Sequence, residues 1–90
     1  MAKIIFPNGA ELEVMPSNGT DFSLSEMQAV VGGYIEVLRL DNKELIVVNE
    51  EGKLMGLDVN DKATRYMKAN SRYDDVLVGN VLVCNMSQVR

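Results

Sequence analysis

The sequence predicts an α+β fold, in which a mostly antiparallel sheet is covered by two short helices. Short apolar or alternating segments recur between turn signals, which is typical of strands. Two other segments begin with helix-capping residues and continue with helical spacing. Ninety residues, of which 47% are hydrophobic, provide one core. We therefore expect a single α+β domain over residues 1–90.

The chain begins with a predicted β-hairpin. Residues 3–6 and 11–14 are the strands, and residues 7–9, Pro-Asn-Gly, form the turn. Proline presets the first turn dihedral and glycine accepts a positive φ. In the second strand Leu12 and Val14 alternate with glutamates, which predicts one buried face and one exposed face.

A short helix is predicted next. Ser23 is the expected N-cap, and Glu26 completes a capping box three residues later. Gly32 provides the left-handed residue that ends the helix. The apolar residues expected to face the core are Phe22, Leu24, Met27 and Val31.

The middle of the chain predicts two further strands, at residues 34–40 and 44–49, joined by a turn at 41–43. Residues 45–48, Leu-Ile-Val-Val, are apolar on both faces, which indicates a central strand. A turn at 50–53 and a short extended piece at 54–57 should follow.

A second helix is predicted over roughly residues 61–70, with Asn60 as its N-cap. Its inner side should carry Val59, Ala63, Tyr66, Met67 and Asn70.

The last predicted strand covers residues 76–85 and is interrupted by Gly79-Asn80. We interpret the interruption as a β-bulge, with a very short hairpin as the alternative. The predicted order is therefore β-β-α-β-β-α-β.

Composition excludes several chemistries. The chain has no histidine, which removes the Ser-His-Asp and Cys-His nucleophile systems. It has neither a dinucleotide-binding nor a P-loop glycine motif. A net charge of −4 argues against general nucleic-acid binding. The single cysteine, Cys84, lies in an apolar run and suggests a buried thiol in a reducing, cytoplasmic setting. The sequence predicts no membrane span.

Carboxylates are frequent between residues 44 and 61, but their spacing does not match a calcium loop. We interpret them as the polar ends of structural elements, and we expect no metal or cofactor. The alternative is a magnesium or acid/base site at Glu36 and Glu50, if tertiary contacts bring the two together. The carboxylates of this stretch are Glu44, Glu50, Glu51, Asp58 and Asp61.

The second helix carries cations at intervals of three, three and four residues, opposite its apolar side. A solvated helix face is the simpler interpretation. The alternative is a site for a phosphorylated ligand or an acidic partner. The candidate ligand-binding residues are Asn60, Lys62, Arg65, Lys68 and Arg72, and we call the four cations the basic helix face.

Between Gln28 and Cys84 the chain resembles small phage and mobile-element proteins of the family described as domain of unknown function three-eight-four-six. The N-terminal hairpin adds little to this resemblance. The resemblance implies a cytoplasmic accessory protein of a phage, prophage or conjugative element. The similar stretches are Val31 to Glu36, Asn49 to Lys53, Asn60, Ala63-Thr64 and Val78 to Asn80.

Two functions are consistent with these observations. The first is a non-catalytic binding or interaction module, acting on a host or phage protein and expected to form homo-oligomers. The second is sequestration, and less readily hydrolysis, of a small phosphorylated or nucleotide-like ligand at the basic helix face. The sequence indicates no catalytic residues, and it therefore favours the first function.

Overall fold

A computed structural model describes residues 2–89 and contains the predicted order of strands and helices. A short 3-10 helix, Met86–Gln88, follows the last strand. The strands are β1 (Ala2–Ile5), β2 (Glu11–Val14), β3 (Ile35–Arg39), β4 (Glu44–Asn49) and β5 (Val81–Asn85), and the helices are α1 (Leu24–Val31) and α2 (Asp61–Ala69).

All five strands form one antiparallel sheet in the order β2-β1-β5-β4-β3. The last strand in sequence, β5, lies between β1 and β4, and it joins the two hairpins into one sheet. The edges are β2 and β3. The prediction that residues 44–49 form an interior strand is confirmed, because all of β4 after Glu44 is buried.

The two helices cover opposite faces of the sheet. Leu45 and Val47 of β4 pack in the cluster that contains Met27 of α1. Ile46 and Val48 pack in the cluster that contains Met67 of α2. Because successive strand residues point to opposite faces, a continuous apolar run needs a cover on each side. The fold therefore has three layers, with the sheet in the middle.

Helix α1 begins and ends as its sequence predicts. The Ser23 N–H donates to Oε1 of Glu26 (3.0 Å), and the Glu26 N–H donates to Oγ of Ser23 (3.2 Å). Gly32 has φ 80° and ends the helix in the left-handed region. Phe22 and Met27 are buried in the same cluster, but Leu24 is 55% exposed, so it does not face the core as predicted.

Helix α2 is anchored through Asn60, which is fully buried. Its Oδ1 accepts the N–H of Ala63 (3.1 Å), as an N-cap does. Its Nδ2 donates to the carbonyl oxygens of Ile5 (2.9 Å) and Gly79 (2.8 Å). One side chain thus connects the start of α2, the end of β1 and the segment before β5.

The prediction of a strand over residues 76–85 is confirmed for residues 81–85 and wrong for residues 76–80. The strand begins at Val81, and Gly79-Asn80 form neither a bulge nor a hairpin. Gly79 has φ 74° and turns the chain out of the sheet. The preceding residues bond to the segment before α2: the Asn60 N–H donates to Leu77 O (2.8 Å), and the Gly79 N–H donates to Asp58 O (2.8 Å).

Two smaller expectations are also wrong. Residues 54–56 belong to a run of turns over residues 50–56 and are not extended, because the Met55 N–H donates to Glu51 O (2.9 Å) in a helical turn. Leu12 is 53% exposed, although strand alternation places it on the α1 face. The reason is that α1 packs mainly on β3, β4 and β5, which leaves Leu12 on the edge strand β2 largely uncovered.

Cys84 is fully buried within β5, as predicted. Burial, together with the smaller effect of the nearby Glu44 carboxylate, raises the pKa of its thiol to about 11. Because the thiolate is the reactive form, this thiol is unreactive at neutral pH. Among residues 2–89, no helix is long and apolar enough to cross a bilayer.

The bonds of Asn60 predict a large effect of its removal. Asn60→Ala removes the cap and two buried hydrogen bonds to backbone carbonyl oxygens, so we expect a loss of about 3 kcal/mol in unfolding free energy. The control is Asn85→Ala, which removes the exposed cap of the 3-10 helix and should cost about 1 kcal/mol or less. Urea unfolding measures both values. Equal losses would contradict the role given to Asn60.

Candidate functional site

The basic helix face is partly neutralised by the protein itself. Lys62 lies 2.7 Å from Oε2 of Glu11 and also donates to Gly9 O. Lys68 lies 3.5 Å from Oδ1 of Asp74. Within residues 2–89, Arg65 has no ion-pair partner and is exposed. The four cations are therefore not a set of free charges on one surface.

The other two candidate residues, Asn60 and Arg72, lie apart from Lys62, Arg65 and Lys68. Asn60 is buried, and the three backbone bonds described above occupy its side chain, so it is not accessible to a ligand. Arg72 follows the end of α2 and lines an open depression of about 370 Å³ together with Arg39 of β3. The structure thus places Arg72 beside Arg39, a cation that the sequence analysis does not associate with it. The remaining lining residues are Asp41, Ser71 and Tyr73.

A second group of polar side chains comes from β1, β2, β4 and α2. The Tyr66 hydroxyl donates to Oε1 of Glu44, and Lys3 Nζ lies 5.3 Å from the centre of the Tyr66 ring. Partial burial raises the pKa of Tyr66, and the hydrogen bond to Glu44 raises it further. Lys3 also lies 3.3 Å from Glu11. These side chains satisfy one another and hold α2 against the sheet.

The carboxylates between residues 44 and 61 do not converge. Glu44 bonds to Tyr66, whereas Glu50, Glu51, Asp58 and Asp61 are exposed at turns and at the start of α2. Among the described residues, no three acidic or cysteine side chains are close enough together to hold a metal ion.

Glu36 and Glu50, the alternative pair, do line one cleft of about 360 Å³ on the α2 face of the sheet. Both residues belong to the strand register that points to this face, because Glu36 pairs with Val48 and Glu50 lies two residues beyond Val48. The cleft is bounded by β3, by the turns after β4 and by the irregular segment before β5. We call it the acidic cleft.

The floor of the acidic cleft is apolar and its rim is charged. Lys53 is the one lysine of the rim, and it lies 2.5 Å from Oδ1 of Asp75. The hydrogen bond from Lys53 lowers the pKa of Asp75. The apolar lining consists of Leu38, Val48, Leu54, Met67, Tyr73, Val76, Leu77 and Val78, and the carboxylates are Glu36, Glu50 and Asp75.

Sequence reasoning did not predict this cleft, although it named Glu36 with Glu50. The sequence predicts residues 76–78 as the start of the last strand and assigns residues 73–75 to no element, so neither stretch is expected to form a wall. A local signal for the wall exists in Gly79, because glycine accepts the positive φ at which the chain turns before β5. No local signal places that wall opposite β3.

Comparison with known protein families gave a match over nearly the whole chain. A family model described as a domain of unknown function (DUF3846) matches residues 3–88. The match includes the N-terminal hairpin, which contributes little to the resemblance seen in the sequence alone. No curated protein and no solved structure showed significant similarity to the chain.

The ion pairs of Glu11 predict an acid-sensitive contact between α2 and β2. The hydrogen bonds from Lys62 and then Lys3 lower the pKa of Glu11. A carboxyl whose folded pKa is lowered stabilises the fold above its unfolded pKa, and this stabilisation is lost as the pH falls through the folded pKa. We therefore expect Glu11→Gln to lower stability at neutral pH and to have little effect well below pH about 4.3.

Urea unfolding midpoints at neutral and acidic pH measure this difference. Glu13→Gln is the matched control, because Glu13 lies in the same strand and makes no ion pair within the described residues. A Glu11→Gln deficit that stays constant with pH would contradict the prediction.

Proposed function

Because the family match covers residues 3–88, the chain belongs to the DUF3846 family, and we propose that it is a non-catalytic binding protein whose acidic cleft holds a basic, partly apolar segment of a partner protein. The observation that carries the proposal is the acidic cleft itself, with its apolar floor and carboxylate rim.

The apolar part of the cleft favours an aliphatic ligand surface. Val48, Met67 and Leu77 are buried beneath it, while Leu54 is 87% exposed and Val76 is 41% exposed beside it. Exposed apolar residues grouped around a concave surface with a polar rim are typical of binding sites. A side chain with an aliphatic stem, such as lysine or arginine, would fit both the floor and the rim.

The charge of the rim favours a cationic ligand. Lys53 neutralises Asp75, and within residues 2–89 neither Glu36 nor Glu50 has an ion-pair partner. The net charge of the chain, −4, adds a long-range attraction for the same kind of partner. A cationic segment would therefore meet two unbalanced carboxylates at the cleft.

The family resemblance supports a biological setting for this activity. We propose a cytoplasmic accessory protein of a phage or mobile element, with a host or phage protein as the partner. The absence of histidine from the sequence supports binding rather than hydrolysis, because the usual neutral-pH proton carrier is missing. Homo-oligomer formation is part of the same proposal.

A pair of synthetic peptides tests the cleft. A labelled peptide of alternating lysine and leucine should bind, and the same peptide with glutamate in place of lysine should not. We expect Glu50→Lys to weaken binding of the lysine peptide by about tenfold, which corresponds to about 1.4 kcal/mol. Fluorescence anisotropy measures the affinity.

The matched control is Glu13→Lys, which changes the net charge equally at an exposed position outside the cleft. If long-range attraction alone caused the binding, both variants would bind the lysine peptide with equally reduced affinity. That result would contradict binding at the cleft. Added salt should reduce, but not abolish, the difference between the variants, because the contact at the rim is close.

A second candidate function rests on the depression that Arg39 and Arg72 share. Both arginines are exposed there, with Ser71 and Tyr73 beside them. Planar guanidinium groups suit phosphate oxygens, and Ser71 could add a hydroxyl donor. This geometry favours a small phosphorylated ligand at the Arg39–Arg72 depression over one at the basic helix face. The carboxylate of Asp41 in the same lining would repel an anion, so we rank this function second.

Isothermal titration with inorganic pyrophosphate tests the second candidate. Arg39→Ala and Arg72→Ala should each weaken binding by about tenfold if both guanidinium groups contact the anion. Arg65→Ala is the control, since Arg65 is an exposed arginine of the basic helix face that does not line the depression. Equal losses in all three variants would show non-specific attraction and would remove this function.

A further inference from the structure

In the described part of the chain, residues 2–89, the outer edge of β3 has no strand partner. At the two ends of the β3–β4 ladder, the Leu40 N–H donates to Glu44 O and the Glu50 N–H donates to Tyr34 O. In an antiparallel pair the bonded positions alternate, so the residues in between direct their backbone groups away from β4. Those residues are Ile35, Val37 and Arg39, and within residues 2–89 their outward N–H and C=O groups have no partner.

The other edge of the sheet is protected. The Phe6 N–H donates to Ala10 O, so the residues of β2 that direct backbone groups outward are Glu11 and Glu13. Both are exposed glutamates. Two copies paired at β2 would bring carboxylates together, and charged edge strands resist such pairing. The β3 edge instead has Val37 at its centre, which is 39% exposed.

We infer that β3 pairs with β3 of a second copy of this chain, antiparallel about a twofold axis at Val37. In this register Val37 lies opposite the partner's Val37, and Ile35 lies opposite the partner's Arg39. The outward backbone N–H and C=O groups of these three residues then face those of the partner strand, as in the hydrogen-bonded pairs of an antiparallel sheet. Each residue contributes one N–H donor in both copies, so the pair forms six backbone hydrogen bonds and joins the two sheets into one.

The side chains favour this register over its neighbours. No two like charges lie directly opposite each other, because Glu36 faces the partner's Leu38 and Arg39 faces the partner's Ile35. A register centred on Glu36 would set two carboxylates against each other, which is destabilising. A register centred on Leu38 would carry Ile35 beyond the end of the partner strand. The register centred on Val37 avoids opposed like charges and keeps every residue of β3 opposite a residue of the partner's β3.

The pairing also extends the acidic cleft, and in this respect the inference rests on the proposed function. Glu36 and Leu38 line the cleft and point to the α2 face. Across the twofold axis, the partner's Glu36 and Leu38 lie on the same face, next to the β3 wall of the cleft. The two clefts then form one groove across the dimer, with additional carboxylates for a basic segment that crosses it.

The area of contact limits the strength of the dimer. An edge of five residues buries less than the about 1,000 Å² of a stable interface. We therefore expect a concentration-dependent dimer with a dissociation constant in the micromolar range or weaker. Such a dimer would be strengthened by a ligand that bridges both clefts.

Cysteine cross-linking tests the register. Val37→Cys under mild oxidation should give a disulfide-linked dimer on a non-reducing gel. Opposed residues of a bonded antiparallel pair have Cα atoms about 5.5 Å apart, within the disulfide range of about 4.4–6.8 Å. The native Cys84 is buried and gives no background. Leu12→Cys is the matched control, an exposed apolar residue on the other edge strand, and it should stay monomeric.

Sedimentation velocity without ligand tests the association itself. The wild type and Leu12→Lys should show the same monomer–dimer equilibrium, and Val37→Lys should be monomeric with an unchanged circular dichroism spectrum. A wild type that remains monomeric at every concentration, or a Leu12→Cys variant that cross-links as readily as Val37→Cys, would overturn the inference. Because no peptide is present, this outcome is independent of the cleft-binding test.

Discussion

The fold depends on the burial of β4 and β5 on both faces. Residues 45–48 and 81–84 are apolar runs that lie side by side in the sheet and are buried. Strand geometry directs alternate residues of each run to opposite faces, so neither face can remain open to water. Helix α1 and helix α2 provide the two covers. The same constraint makes β2 and β3 the edges, where charged residues can stay exposed.

Asn60 determines how the second cover is attached. Its three hydrogen bonds hold the start of α2 to the end of β1 and to Gly79. Thr64 extends this connection, since its hydroxyl donates to Asn60 O and accepts the N–H of Leu77. The chain before β5 is therefore held beside α2 and away from the sheet. The space left between this segment and β3 is the acidic cleft, so a structural contact creates the candidate binding surface.

The distribution of charge separates structural roles from candidate functional ones. Lys62 connects α2 to β2, whereas Glu36 and Glu50 have no ion-pair partner within residues 2–89 and lie beside an apolar floor. An excess of negative charge that the fold does not use internally is a basis for recognising cationic partners. The β3 edge adjoins the same cleft, so a second copy and a basic segment would meet at one continuous surface.

The sequence by itself determined the local structure of this protein. The capping box at Ser23, the cap at Asn60 and the apolar run of β4 act within a few residues, so their signals can be read locally. Most of the order of strands and helices along the chain followed from such signals. The tertiary structure alone decided that Leu12 stays exposed and that Lys62 meets Glu11, because both depend on which distant element reaches them. The walls of the acidic cleft come from three separate segments, and no local spacing encodes the distance between them.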